Sequence, residues 1–219
     1  MIVGLIVLVA ASTTEAQPPA PPLESVSNVA APWKIAGVEL GMRPSKVGVA
    51  LREAGYKLTY RYEGPSWQSQ VESRGSSQSG VRVPAGAKVV EKEDYQRGQE
   101  EIRVWYRAGR LGPYVSGIDY AISSEAIDAE RFRSAALTKF GRPTLRWDWE
   151  LLYCSAGERQ CSRTGGLVTN QLPNLTVYAI HATKRYLHLR QGERADKAYD
   201  AAVRAEAERL YPKKDKPTF

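Results

Sequence analysis

Few residues in this sequence have the type and spacing to do chemistry. The two cysteines, Cys154 and Cys161, are separated by six residues that include Ala156-Gly157-Glu158. If 151–154 and 160–163 are the arms of a hairpin, the pair faces across it, close enough for a disulfide. Such a short loop contributes about 2–3 kcal/mol in the chain-entropy picture. No companion His or acid stands at zinc-ligand spacing beside them, so a metal site is not expected. The two histidines, His181 and His188, flank a turn between strand-like segments. They could face each other, bind a metal or move protons, but no carboxylate or cysteine lies beside them in sequence. They read as surface or half-buried strand residues. Pairing either cysteine with His181 as a nucleophile would conflict with the disulfide. Gly165-Gly166 lacks the lysine and helix of a phosphate cradle.

Trp147 and Trp149 share one face if 145–153 is a continuous strand, and nearby arginines could help them stack sugars of a cell-wall polymer. The expectation is a core pair beneath a helix, with the sugar-stacking surface as the alternative. Glu91, Glu93, Asp94, Glu100 and Glu101 read as a solvated acidic face. No catalytic residue, metal ligand or cofactor is assigned. Trp147, Trp149, His181 and His188 stand as candidate ligand-binding positions, and Cys154 with Cys161 as a disulfide.

The elements that must position these residues follow from periodicity. Ile35 to Leu40 predicts a short strand. Pro44 suits the first position of a helix whose apolar stripe is Val47, Ala50, Leu51 and Ala54 and whose end is Gly55. Leu58, Tyr60 and Tyr62 alternate with polar residues as in a half-buried strand. Residues 64–80, rich in Ser, Gln and Gly, predict a long loop, and 81–90 a weak strand. Strands follow at 102–107 and 118–122. Ser123 or Ser124 should cap a helix bearing Phe132, Ala136 and Phe140 and closed by Gly141 and Pro143. After the 145–153 strand come strands at 175–182 and 186–190, then a helix from Glu193 to Leu210 with a Glu193–Lys197 pair. Runs of strands between helices argue for an α+β fold: antiparallel sheet with helices packed on one face. A faint echo between 36–56 and 116–141, of a kind that chance also produces, would divide the domain at 33–211 into similar halves, 33–107 and 114–211.

The ends set the compartment. Residues 1–16 contain an apolar run, Ile2 to Ala11, about 15 Å long as a helix and half a bilayer core. With Thr14 and Ala16 before Gln17, it reads as a cleavable secretory signal, although no Lys or Arg precedes it. No cysteine follows the run to carry a lipid. Residues 17–32 are a Pro-rich tether, and 212–219 a basic tail. Losing 1–16 removes one acid, Glu15, and raises the formal charge from +7 to +8. That balance favours acidic surfaces, but the basic residues are scattered and no nucleic-acid-binding module is present. A periplasmic or secreted protein is expected, with no stable membrane insertion after cleavage.

The stretch Ile35-Ala-Gly-Val-Glu-Leu-Gly-Met-Arg-Pro-Ser-Lys-Val, closing at Ala54-Gly55-Tyr56, resembles a strand–turn–helix signature of small exported bacterial proteins. It is similar to that of outer-membrane assembly lipoproteins of the SmpA/OmlA type and of the β-lactamase-inhibitor-like fold. Phe140-Gly141-Arg142-Pro143-Thr144 is similar to the segment that follows a helix in the same proteins. Arg43 departs from the pattern, which places Ser or Thr there. The resemblance implies helices on an antiparallel sheet and a protein-binding role. The expectation is an exported, non-enzymatic module that binds an envelope protein; the alternative is a cell-wall glycan-binding protein or envelope enzyme.

Overall fold

The alternating segments pair into a single large sheet. The structure, a computed structural model, describes residues 32–79, 86–155, 161–164 and 167–212. In chain order the elements are α1 (Pro44–Glu53), β1 (Lys57–Pro65), α2 (Trp67–Ser79), β2 (Lys88–Arg97), β3 (Glu100–Gly109), β4 (Gly112–Ser123) and α3 (Ala129–Phe140). There follow β5 (Leu145–Arg146), β6 (Glu150–Cys154), β7 (Cys161–Thr164), β8 (Leu167–Asn170), β9 (Asn174–Tyr178), β10 (Lys184–Arg190) and α4 (Glu193–Leu210). Eight strands form one sheet in the order β1-β2-β3-β4-β10-β9-β6-β5, and β7 and β8 form a separate hairpin. Every pairing is antiparallel. The fold is α+β.

The chain enters this sheet twice from the outside. After α1 it lays down β1 at one edge and steps inward through β2 and β3 to β4. After α3 it lays down β5 at the other edge and steps inward through β6 and β9 to β10, which pairs with β4. The division expected between 107 and 114 falls at the β3–β4 hairpin, inside the continuous sheet.

One face of the sheet holds the main core. Ile102, Val104, Ile118 and Leu189 are at most 1% exposed and pack with Val47 and Leu51 of α1 and Phe132 and Ala136 of α3. Period-two alternation sends the residues between them to the other face. α2 and α4 pack on each other through Trp67, Val71, Val203 and Ala207. The Tyr199 hydroxyl in α4 lies 2.9 Å from both the Ala108 carbonyl and Gln70 Oε1.

Several sequence expectations are corrected. Residues 67–79 are helix, not loop. Ser66 caps it, its hydroxyl accepting from the Ser69 N–H at 3.2 Å, and Trp67 and Val71, four apart, bury its apolar side. The strand after it starts at Lys88 rather than 81. Ile35 to Leu40 is a tight turn closed by backbone bonds between Ile35 and Val38. α3 begins at Ala129 and is capped by Asp128, which accepts from the Arg131 N–H at 2.8 Å; Ser123 and Ser124 precede it. The 145–153 segment is a small hairpin, β5 with β6, whose turn holds Trp147 and Trp149. The cysteines are not on facing arms either: β6 pairs with β5 and β9, and β7 with β8.

The strand–turn–helix signature has a local role. Gly41 N–H and Met42 C=O bond Val115 at 2.8 and 2.9 Å, docking the start of α1 against the start of β4. Arg43, which caps nothing with its side chain, donates instead to the Gly112 carbonyl at 2.7 Å. The expected signal at 1–16, all but the last residue of the tether, and the basic tail beyond 212 lie outside the described residues. No helix among the described residues is long and apolar enough to cross a membrane.

Candidate functional site

The polar face of the central strands gathers the groups that could act on a ligand. In β3, Arg103, Trp105 and Arg107 alternate with the core residues; in β4, Asp119 does; in β10, Tyr186, His188 and Arg190 do. Register then decides who meets whom: His188 pairs with Asp119, and Arg103 with Asp119 from the other side. Asp119 becomes the hub. Its Oδ2 accepts the Trp105 Nε1–H at 2.7 Å, and its Oδ1 lies 2.6 Å from His188 Nδ1 and also accepts from Arg190. Burial pushes the Asp119 carboxyl up, but the His188 hydrogen bond, the Arg190 charge and the Trp105 N–H together outweigh it and hold it at about 2.

The His188 ring is sandwiched. Tyr186 stacks on it at 5.8 Å and 10°, and Tyr178 meets it edge-on at 5.5 Å. His181, in the β9–β10 loop, contacts Tyr186 edge-on at 5.2 Å. Tyr186 therefore stands between the two histidines, and they form no pair. An Asp–His contact is the geometry that orients an imidazole as a base. Among the described residues, however, no hydroxyl or thiol hydrogen-bonds His188, and no group of three metal-ligating side chains is present. The arrangement orients a ring and fixes a charge.

No protein-family model, curated protein or solved structure matches the chain.

A cleft of about 390 Å³ opens beside this hub, between Trp105, Ser116 and Gly117 on one side and the first turn of α4 on the other. Its shape has a backbone cause. Trp105 pairs with Gly117 and Tyr106 with Val115, so Ser116 is an extra residue, a β-bulge that tilts the strand end. Gln191 N–H bonds the Ser116 carbonyl at 3.3 Å, fixing the entry to α4. A Cβ on Gly117 would lie 3.1 Å from Arg190 Nη1, so glycine lets Arg190 lie flat against β4.

The other sequence candidates lie elsewhere. Trp149 is 48% exposed in the β5–β6 turn, while Trp147 packs toward Leu152 and Cys154. Cys154 ends β6 and is 9% exposed. The Cys161 side chain, and with it the expected bridge, lies outside the described residues. Glu93, read as part of a solvated face, is 0% exposed. Its Oε2 accepts from the Tyr95 and Tyr106 hydroxyls at 2.9 and 2.5 Å, and its Oε1 from Arg61 Nε at 2.8 Å. Burial first, then the bond to Glu93, pushes both tyrosines well up from their ordinary range. The carboxylate is enclosed by its own donors, so this cluster braces β1, β2 and β3.

Sequence reasoning missed Asp119, Trp105 and Arg190 as a group with His188. The missing carboxylate comes from 69 residues away, across a strand pairing. The only local signal was that polar residues interrupt three apolar strands on the same face.

Proposed function

We propose that the protein is an exported, non-enzymatic module that binds an envelope protein through the edge strand β1. One observation carries this reading: β1 is nine residues long, stands at the edge of the sheet and is exposed at every position but Gly64. Leu58, Tyr60 and Tyr62 are 46%, 49% and 49% exposed. An edge of this length offers unpaired backbone groups, and its side chains supply the specificity of strand addition. Two register irregularities, at Leu58/Tyr60 and Tyr62/Glu63, and Pro65 at its end limit how long a strand can add to this edge. The strand–turn–helix signature, the apolar start and the positive charge support export and an acidic or polar partner. The same reading includes a Cys154–Cys161 disulfide.

The test places a photo-crosslinking residue at Tyr60 and, as a control, at Trp149, in the native host. A discrete crosslinked protein at position 60 that is absent at 149, and lost on Leu58→Asp, supports the reading. Equal products at both positions, or none at 60, sinks it. Thiol titration of the denatured, unreduced protein checks the bridge: no free thiol is expected, and two would rule it out.

A further inference from the structure

We propose that the cleft between the β4 bulge and the first turn of α4 binds a neutral sugar residue. The charges in the cleft are already matched. Arg107 pairs with Asp196 at 2.5 Å, and Arg190 with Asp119. Glu193 adds a further carboxylate at the rim, itself contacted by Lys197 at 3.3 Å. No surplus positive charge calls for an anion.

What the cleft lacks is hydrogen-bond partners of both kinds. Gln191 is 8% exposed and its Oε1, an acceptor, is buried with no partner. Arg107 Nη1, a donor, is likewise buried without a hydrogen bond of its own, while its guanidinium lies over the Tyr199 ring and beside Tyr114. Both residues line the cleft. Leaving such groups unmade is costly, a cost that a ligand able to satisfy both removes. A carboxylate or phosphate dianion only accepts, and an ammonium only donates. A hydroxyl does both.

The third element is Trp105. Its Nε1–H is committed to Asp119, so what the indole adds to the cleft lining is ring carbon, on a ring that Lys92 and Arg103 also approach to 5.7 Å. Neutral hydroxyls beside an apolar ring face describe a sugar. At about 390 Å³ the cleft stands near the small end of ligand pockets. The bulge at Ser116 and the close approach allowed by Gly117 are what open and floor it. The inference does not rest on β1: the cleft and that edge are separate features, and each can fail alone.

The experiment is a ¹⁵N titration of the purified full chain, following the Trp105 indole N–H resonance, assigned through Trp105→Phe. The probes are chitotriose and maltotriose, with sodium acetate and inorganic phosphate as anions. A saturable shift with a Kd below about 10 mM for one or both sugars is expected. Which sugar binds separates a β-linked amino-sugar polymer from an α-glucan as the source. Gln191→Leu, folded by its urea midpoint, should weaken binding about tenfold or more; Trp149→Ala should leave it unchanged. The proposal is overturned if neither sugar moves the resonance, if the anions alone do, or if folded Gln191→Leu binds as the parent does.

Discussion

The two ends of the sheet are built to opposite specifications. At one end, β6 and four of the five residues of β9 are buried, so these strands are covered on both faces, and the edge beyond them, β5, is only two residues long. At the other end β1 is long, exposed and aromatic. An edge strand is a standing invitation to pair, and proteins usually shorten or cover it. Here one edge is shortened and the other is kept. The difference separates the part of the sheet that is enclosed from the part that stands exposed, with the Asp119 hub and the Glu93 cluster between them.

That contrast can be broken by measurement. Leu175 in β9 is 0% exposed, and Leu175→Ala should lower unfolding stability by about 3–4 kcal/mol in urea. Tyr60→Ala in β1 should change it by no more than about 0.5 kcal/mol; equal losses would erase the distinction. Next in size, Glu93→Gln weakens an enclosed set of charge-assisted bonds and should cost about 2–3 kcal/mol, which would show that β1 is braced on its core side although its surface is free.

The hub gives a pH signature. The Asp119 carboxyl sits at about 2 when folded, below its ordinary 3.8. A lowered folded pKa stabilises above the unfolded value and is lost as pH falls through the folded one. The advantage of the parent over Asp119→Asn should therefore be full above about pH 4 and shrink by about 2 kcal/mol toward pH 2. A difference independent of pH across that window would deny the carboxylate its role. The smallest effect is at α3, where Asp128→Ala removes one cap and should cost about 1 kcal/mol.

Much of the architecture was legible because local pattern and tertiary role agree there. Pro44 and Gly141 mark helix ends as their backbone preferences dictate, and the alternation in 102–107 and 118–122 becomes β3 and β4. α2 was hidden because only Trp67 and Val71 carry its apolar side; the other eleven residues are small or polar, and the helix is held by α4 rather than by its own propensity. Ser66 was the one readable cue. Trp147 and Trp149 alternated like strand residues, but a turn at Asp148 reverses the chain. The hub was illegible in principle from one segment: Asp119 meets His188 and Trp105 only through strand register, and Glu93 looks solvated until Tyr95, Tyr106 and Arg61 enclose it.

The α2–α4 contact has a consequence for the order in which the molecule can assemble. Gln70 and Tyr199 are 129 positions apart, and the residues that cover Trp67 and Val71 include Val203 and Ala207, near the end of the described chain. A polypeptide that emerges amino end first, from a ribosome or through a membrane channel, carries an uncovered tryptophan patch until α4 arrives. On such a route this corner can close only once α4 is made, when β1 to β4 already have one another to pair with. In pulsed hydrogen exchange, the amides of α2 should gain protection later than those of β3, although α2 is made first.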